Sequence, residues 1–380
     1  MSDQDPPVLA ALILAAGFSS RMGRFKALLP MDGVSVIAHV VSTFREVGIE
    51  RVGAVIGYNA EQIEPVLRDL GVDAIVNSNY ERGMYSSVQA GVASLPPEVD
   101  ACFLLPVDIP LVRPATIAAL AARFAAECAP ITYPRFNGQR GHPPLISRAL
   151  FAEILAGKGD GGLRALLTNH QGAASDVNVL DGGVVLDMDT PEDYEQLSKL
   201  ALRRHLPTPA ECEAILATRS APESLRRHGR AVAAVARTMV TKLAACDVVI
   251  DLNLVLAASL LHDIAKGQPG HAEAGAALVE DLGYPAVADV IRQHMSMNFD
   301  GATNEAAIVF LADKLVRQDR RVSLEERYQS SFERFHDQPE ALQGATRRHE
   351  TARAILALVE RKAKAPIAEI LADSGVPLCS

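Results

Sequence analysis

Short apolar runs alternate with stretches of helical periodicity through the first half of the chain. The runs have the length of buried strands, and the periodic stretches repeat apolar residues every three or four positions. Strands are predicted at 8–14, 51–56, 74–76 and 101–107, and helices at 34–47, 61–70, 86–95 and from Thr116 onward. Such alternation predicts a doubly wound α/β fold with a mostly parallel sheet.

The pattern changes after Leu200. Residues 203–208 are short, basic and proline-bearing, as expected of a linker. Beyond them Ala, Leu, Glu and Arg recur at helical spacing without strand patterns. Helices are predicted at 209–216, 222–244, 252–265, 271–282, 286–294, 305–318 and 346–362. We therefore expect an α/β domain over 1–202, an all-α domain over 209–365 and a C-terminal tail over 366–380.

Composition narrows the class of protein. The net charge of -9 argues against a general nucleic-acid binder. Five scattered cysteines without a C-x-x-C motif indicate reduced thiols rather than disulfides or a zinc site. No apolar run approaches the roughly 20 residues of a membrane span, and residues 1–7 are polar and acidic, unlike a signal peptide. We expect a cytoplasmic protein that acts on small molecules, not on nucleic acid or membrane.

A polar, glycine-containing loop follows the first predicted strand. Gly17 and Gly23 allow the backbone to lie against a ligand, and Arg21 and Lys26 add positive charge beside it. The pattern indicates an anion-binding loop. Its glycine spacing fits neither the dinucleotide fingerprint nor the P-loop. An ordinary turn with solvated basic side chains is the alternative.

Asp108 directly follows the strand predicted at 101–107, where flanking prolines stiffen the chain. A carboxylate in this position suits Mg²⁺, which proteins bind through one or two carboxylates and substrate phosphates. The alternative is a helix-capping aspartate before the Thr116 helix.

A second carboxylate group lies at 187–193. Asp187 and Asp189 alternate, so they would face the same way on a strand. Thr190 and Asp193 flank Pro191 and are expected to cap the next helix.

Residues 12–30 read L-I-L-A-A-G-F-S-S-R-M-G-R-F-K-A-L-L-P. This string resembles the signature L-A-A-G-x-S-x-R-M-G-x-x-K-x-L-L-P of the MobA-like NTP transferases. The resemblance implies a Rossmann-like nucleotidyltransferase fold, with Arg21, Lys26 and Asp108 as catalytic residues. It implies nucleotide binding by Leu14, Ala15, Ala16, Gly17, Ser19, Ser20, Arg21, Met22, Gly23 and Lys26. It also implies Mg²⁺ held by Asp108, in a D-x-P-L-V string, and by Asp187 first or Asp189 second, in a D-x-[GD]-T-P string.

Three further strings resemble those of the molybdenum cofactor cytidylyltransferase branch. Residues 79–91 resemble the segment that meets the base, which implies a hydrogen bond from Ser87 to a pyrimidine, with a simple helix N-cap as the alternative. Residues 140–144 and 159–164 resemble strings that receive the second substrate, which implies roles for His142 and Asp160. Together with A-A-G and K-A-L-L-P they favour CTP and a molybdopterin-type cofactor, with a molybdenum hydroxylase or its chaperone as partner. Other phosphorylated acceptors stay open.

Histidines and aspartates recur through the second half of the chain. They are His228, His262, Asp263, His271, His294 and Asp313. Any one of these histidines alone would more often be structural. Imidazole and carboxylate together suit Mn, Fe, Co or Zn.

Their order resembles that of the HD-domain metal-dependent phosphohydrolases over about 209–360. The resemblance implies a metal held by His228, His262, Asp263 and Asp313, with His271 and His294 completing a second site. It implies a catalytic role for Asp263, and phosphate neutralisation by Lys266 and Arg317, for which solvated helix-end cations are the alternative. Without a G-Y-P string, the pattern is closer to enzymes that cleave dinucleoside polyphosphates than to those that cleave cyclic dinucleotides. A nucleotide-sensing regulatory module is the other interpretation.

Overall fold

A computed structural model describes residues 6–18 and 21–379. The chain divides into two compact units, with the division between Arg203 and Arg204. Among the described residues, no helix combines the length and apolar character that crossing a bilayer requires.

The first unit is built from strands and helices in alternation. Its strands are β1 Leu9–Leu14, β2 Pro30–Met31, β3 Val34–Ser35, β4 Val52–Ile56, β5 Asp73–Val76, β6 Ala101–Pro106, β7 Ile131–Phe136, β8 Gln139–Arg140, β9 Leu145–Ser147 and β10 Ser175–Asn178. Its helices are α1 Val36–Arg45, α2 Ala60–Asp69, α3 Met84–Ser94, α4 Pro114–Glu127, α5 Phe151–Ala156, α6 Gly162–Asn169 and α7 Pro191–Ala201.

One sheet organises this unit, with strand order β10-β7-β9-β6-β1-β4-β5 and β8 paired to β7. The pairs β1–β4, β1–β6, β4–β5 and β7–β10 are parallel, and β9 runs antiparallel to β6 and β7. The predicted doubly wound, mostly parallel fold is thus confirmed. Strands β4 and β5 lie on one side of β1, and the chain then crosses over to form β6 on the other side of β1. Ligands in such sheets bind at this point of reversal, beyond the carboxyl ends of the strands.

The central strands are buried on both faces, which explains their continuous apolar sequence. Every residue of β4 and β6 is buried, and so is β1 from Ala10 onward. Phe44 of α1 packs against Phe103 of β6 with ring centroids 5.6 Å apart. This core fixes the ends of β1 and β6, from which the loops of the candidate site emerge.

The strand expected through Asp187 and Asp189 is absent. A short 3-10 turn at Gly182–Val185 precedes them, and the following residues are unpaired in the sheet. The alternation nonetheless holds, because Met188 is fully buried and its N–H donates to the Asp108 carbonyl at 2.8 Å. Asp187 is exposed and Asp189 is half-buried on the other side.

The second unit is helical, as predicted, but it also carries a small β-hairpin that the sequence analysis did not predict. Its helices are α8 Pro209–Thr218, α9 Glu223–Ala244, α10 Leu252–Leu261, α11 His271–Asp281, α12 Pro285–Gln293, α13 Glu305–Lys314, α14 Leu324–Arg334, α15 Pro339–Ala363 and α16 Ile367–Ile370. The hairpin pairs β11 Val316–Arg317 with β12 Arg320–Arg321. The predicted helix at 305–318 therefore ends at Lys314, and the one at 252–265 ends at Leu261. Helix α14 has no counterpart in the prediction.

The last residues pack into the second unit. Arg321 donates its backbone N–H to the Pro377 carbonyl and accepts from Cys379 at 2.7 and 2.8 Å. Its guanidinium also donates to the carbonyls of Leu371 and Val376. Residues 371–379 are thereby tied to the hairpin.

Candidate functional site

A cavity of about 280 Å³ opens at the carboxyl ends of β1 and β6 in the first unit. Its lining includes four predicted parts of the site, namely the loop 14–17, Lys26, Ser87 and Asp108, together with the neighbouring Val107. The backbone of the loop faces open space, since a Cβ built on Gly17 meets no atom within 4 Å in the described part of the chain. The cavity therefore has the position and the exposed backbone that phosphate binding requires.

Lys26 is the charged centre of this cavity. It is 8% exposed, and its ammonium donates to Asp189 at 2.9 Å and to Asp108 at 3.1 Å. Burial alone would lower the pKa of Lys26, but the two carboxylates outweigh it, so the pKa lies above its usual value. Lys26 in turn lowers the pKa of Asp189. The cation is thus fixed and fully charged.

Arg21 reaches the same carboxylate from the surface. Its guanidinium donates to Asp189 at 2.9 Å, and its side chain is 76% exposed. An exposed pair of this kind adds little stability and leaves the arginine free to rearrange. Met22 is buried, and Gly23 adopts a positive φ of 65° that favours glycine. Ser19 and Ser20, predicted to bind nucleotide, lie outside the described residues.

The structure separates the roles of the two candidate metal ligands Asp187 and Asp189. Asp189 contacts Lys26. Asp187 and Asp108, in contrast, lie close enough to His142 for their charges to act on the pKa of that histidine. Burial is the main effect there and lowers the pKa of His142. Asp108 lines the cavity, whereas Asp187 and Asp189 are not among its lining residues. Carboxylates of this kind are a donor set that fits Mg²⁺ completed by substrate oxygens.

The loop containing Asp160 lies elsewhere, against Tyr85 of α3, because a Cβ on Gly159 would meet the Tyr85 ring at 3.3 Å. Asp160 itself is exposed and, like His142, is not part of the cavity lining.

Ser87 is held by a buried amide that sequence reasoning missed. Helix α3 begins after Gly83, so Ser87 lies within its first turn and is not its N-cap. Asn77, 4% exposed, donates to the hydroxyls of Ser87 at 3.0 Å and Ser86 at 2.9 Å. Asn77 follows β5 directly, and that position after a strand is the signal that could have found it.

Asp181 is a second residue that sequence reasoning missed. Its buried carboxylate accepts from the N–H of Arg113 and the hydroxyl of Thr116 at 2.7 Å each, and from the N–H of Gly183 at 2.9 Å. A Cβ on Gly183 would lie 2.0 Å from the Leu111 carbonyl. These contacts anchor the segment that carries Asp187 and Asp189.

In the second unit, the six predicted ligands converge at the ends of five helical segments. His228 lies on α9, His262 and Asp263 follow α10, and His271 begins α11. His294 follows α12 and Asp313 lies near the end of α13. Two groups of three have ligand atoms within 4.8 Å of one another: His228, His262 and Asp313, and Asp263, His271 and His294.

Backbone hydrogen bonds orient three of the four imidazoles. The Nδ1 atoms of His228, His262 and His294 lie 2.7, 2.8 and 2.7 Å from the carbonyls of Gln318, Ser259 and Ile291. A carbonyl can only accept, so each Nδ1 carries a proton and each Nε2 is the ring nitrogen left for a metal. This arrangement is typical of metal-binding histidines.

Those Nε2 atoms face carboxylate oxygens. His228 Nε2 lies 3.1 Å from Asp313, and His271 and His294 Nε2 lie 3.5 and 3.7 Å from Asp263. The Nε2 atom of His262 is buried without a hydrogen-bond partner among the described residues. The Nε2 atoms of His294 and His271 also lie 3.3 Å apart. Imidazole nitrogens and carboxylate oxygens this close together form a donor set that fits divalent transition metals.

Two lysines balance the carboxylates. Lys266 lies 2.6 Å from Asp263, and the buried Lys314 lies 2.6 Å from Asp313 and donates to the His294 carbonyl at 3.1 Å. Burial opposes ionisation of both aspartates, but their cationic and imidazole neighbours hold both pKa values well below the usual range. The predicted Lys266 and Arg317 line the adjacent cavity, whereas the role of Lys314 was not predicted.

Family comparisons identify both units. A MobA-like NTP transferase domain matches residues 11–174, and an HD domain matches residues 225–318. The chain is therefore an enzyme that joins a nucleotidyltransferase domain to an HD phosphohydrolase domain.

Among individual proteins, the chain is 27% identical over 184 residues to the molybdenum cofactor cytidylyltransferase of Escherichia coli (strain K12), covering 48% of this chain and 92% of that protein. It is 29% identical over 205 residues to the nicotine blue oxidoreductase of Paenarthrobacter nicotinovorans, covering 52% of this chain and 100% of that protein. The crystal structure of Rv0371c from Mycobacterium tuberculosis H37Rv superimposes with a TM-score of 0.46 at 29% identity, covering 51% of this chain and 98% of that chain.

Proposed function

We propose that the first unit transfers CMP from CTP to a molybdopterin-type cofactor and releases pyrophosphate. The observation that carries the proposal is Lys26, buried between Asp108 and Asp189 in a cavity whose wall is the loop 14–17. The similarity to the Escherichia coli molybdenum cofactor cytidylyltransferase, over nearly its whole length, supports this choice of substrates. A molybdenum hydroxylase or its chaperone would receive the product.

In this reaction an oxygen of the acceptor phosphate bonds to the α-phosphorus of CTP. The bond from that phosphorus to the pyrophosphate oxygen breaks as the new one forms. The acceptor is already an anion, so the protein needs no strong base and acts through positioning and charge. Lys26 neutralises the α-phosphate and the departing pyrophosphate, and Arg21 adds a second, mobile positive charge. Asp108, with Asp187 or Asp189, would hold Mg²⁺, whose bound form neutralises phosphate charge.

A screen of nucleoside triphosphates against phosphorylated acceptors, read as pyrophosphate release, tests the proposal. We expect release with CTP and molybdopterin-type cofactor. Release only with another acceptor would support the alternative, a nucleotidyltransferase for a different phosphorylated small molecule. No release from any pair, with intact nucleotide binding, would contradict both.

We propose that the second unit hydrolyses a phosphate ester of a nucleotide. The supporting observation is the convergence of four imidazoles and two carboxylates, with the Nδ1 protons already committed to carbonyls. His228, His262, Asp263 and Asp313, with His271 and His294, would hold transition metal, which lowers the pKa of a bound water when present. Asp263 is held ionised at this position, and Lys266 beside it neutralises the substrate phosphate.

Hydrolysis of nucleotide esters by the full chain, with Mn²⁺, Fe²⁺, Co²⁺ or Zn²⁺ added in turn, tests this proposal. Phosphate release that disappears in His262→Gln, while pyrophosphate release by the first unit persists, is the expected result. Nucleotide binding without hydrolysis under every metal would instead support a regulatory module that senses nucleotides.

A further inference from the structure

The metal-ligand cluster borders a cavity of about 330 Å³, whose other side is formed by a different part of the chain. Asp263, His271 and Asp313 line one side of this cavity. The opposite side comes from α14 and α15, which lie beyond residues 225–318, the part matched by the HD domain. We call this side the C-terminal wall, and its polar residues are Arg327, Tyr328, Ser330, Ser331 and Arg348.

The hydroxyl of Tyr328 is a buried hydrogen-bond donor of the C-terminal wall. Tyr328 is 4% exposed, and its oxygen has no hydrogen-bond partner in the described part of the chain. Burial raises its pKa to about 12, and the charges of Arg348, Asp313 and Arg327 act on it. Tyr328 and these three charged residues line the same cavity. An unsatisfied buried hydroxyl costs free energy, which is recovered when a ligand oxygen accepts its hydrogen bond.

The wall arginines Arg327 and Arg348, and Arg317 beside the wall, are not paired with carboxylates in the described part of the chain. Across residues 6–18 and 21–379, no carboxylate lies within 4.0 Å of the guanidinium of Arg317, Arg327 or Arg348. Arg317, Arg327 and Lys266 also line a neighbouring cavity of about 550 Å³ on the side of His228. Several cationic side chains grouped between two cavities suit a ligand with linked phosphates, because each guanidinium can donate two hydrogen bonds to phosphate oxygens.

We propose that Arg327, Tyr328 and Arg348 bind the phosphates that are not cleaved, so that the second unit selects esters with two or more linked phosphates over monophosphates. This inference rests on the proposed phosphohydrolase function. In this arrangement the metal-ligand cluster would engage the phosphate under attack. The remaining positive charge of the wall has a partner only when the phosphate chain continues.

Equilibrium binding of inorganic tripolyphosphate to the full chain, without added metal, tests the wall itself. The variants are Arg348→Met, Arg327→Met and Tyr328→Phe, with Arg347→Met as the matched control because Arg347 is the exposed neighbour on the same helix. We expect the dissociation constant to rise about tenfold for either wall arginine, a few-fold for Tyr328→Phe, and not at all for Arg347→Met. The transferase site is the same in all the proteins, so these differences report the C-terminal wall. Equal affinities in wild type and both wall-arginine variants would overturn the inference, as would an equal loss in Arg347→Met.

Hydrolysis provides the second readout. With Mn²⁺, we expect kcat/KM for a nucleoside diphosphate or a dinucleoside tetraphosphate to exceed that for a nucleoside monophosphate by about tenfold or more. Arg348→Met should remove most of this preference, and Arg348→Lys should restore part of it. A wild-type preference for monophosphates would overturn the inference. If no ester is hydrolysed but tripolyphosphate binding still depends on Arg348, the proposed phosphohydrolase function is contradicted, whereas phosphate binding by the C-terminal wall is supported.

Discussion

The ammonium of Lys26 lies 2.9 Å from a carboxylate oxygen of Asp189, although 163 positions separate them in the chain. The contact joins the loop after β1 to the segment before α7. It holds a cation inside the first unit's cavity, where its charge is available to a triphosphate. Among the described residues, the neighbouring carboxylate of Asp187 makes no such contact with Lys26, and its charge acts instead on His142.

This difference predicts distinct effects for two variants. Asp187→Asn should raise the Mg²⁺ concentration needed for pyrophosphate release and lower the rate about 100-fold at low Mg²⁺, because a metal ligand is lost. Asp189→Asn should lower kcat/KM about tenfold through the loosened Lys26 and leave the Mg²⁺ dependence unchanged. Rates measured across a Mg²⁺ series distinguish the two. If Asp189→Asn changed the Mg²⁺ dependence and Asp187→Asn did not, Asp189 would be the Mg²⁺ ligand instead.

At Gly17, in the loop after β1, we expect a substitution that affects function without affecting stability. Gly17→Ala adds a methyl group that meets no atom of the described protein within 4 Å, and Gly17 does not have positive φ. The free energy of unfolding should change by less than about 0.5 kcal/mol, whereas kcat/KM for the nucleotide should fall about tenfold or more. Urea unfolding and pyrophosphate release measure the two effects.

Gly91→Ala is the control, since its methyl group would lie 2.9 Å from Leu12 in the core. Overpacking should cost about 1–3 kcal/mol there. Unimpaired turnover by Gly17→Ala would show that the nucleotide does not approach this part of the loop.

The metal-ligand cluster predicts a linked loss of metal binding and stability. His262→Gln should abolish the rise in Tm that Mn²⁺ or Zn²⁺ produces, because binding to the folded state alone stabilises it. Thermal unfolding with and without metal measures this. His336→Gln, at an exposed histidine in the same unit, is the control and should keep the full rise.

Metal affinity should also depend on pH. Burial works against the protonated ring of His262, but Asp263 and Asp313 outweigh it and raise its pKa above 6.5. Metal must displace that proton, so affinity should fall as pH drops from about 8 to about 6. For His262 alone, the metal-free fold gains stability from protonation below pH 6.5 and loses it as pH rises through the raised pKa. Titration of Mn²⁺ at several pH values checks the trend, and a flat profile would contradict it.

A buried anchor predicts a purely structural effect. Asp181→Ala leaves the N–H groups of Arg113 and Gly183 and the hydroxyl of Thr116 without their acceptor. We expect a loss of about 3 kcal/mol in the free energy of unfolding. Asp181→Asn keeps one acceptor oxygen and should lose less. Denaturant unfolding compares them, and equal stability in wild type and Asp181→Ala would remove the anchoring role.

Sequence periodicity predicted the central strands β1, β4 and β6 because both their faces are buried, so their apolar runs are continuous. It missed β9, which has only three residues, and β7, which contains Pro134. The second unit's ligands were found because they form an ordered set of histidines and aspartates. Asn77, Asp181 and the C-terminal wall were not, because their roles arise from contacts between distant segments.

The sequence predicts only a C-terminal tail over 366–380, yet four residues of 371–379 supply carbonyl or N–H partners to Arg321 on the hairpin that also presents Arg317. Expression plasmids that stop at position 365 would therefore release the hairpin. Work on the second unit should therefore retain residues 371–379, and an affinity tag should not replace them.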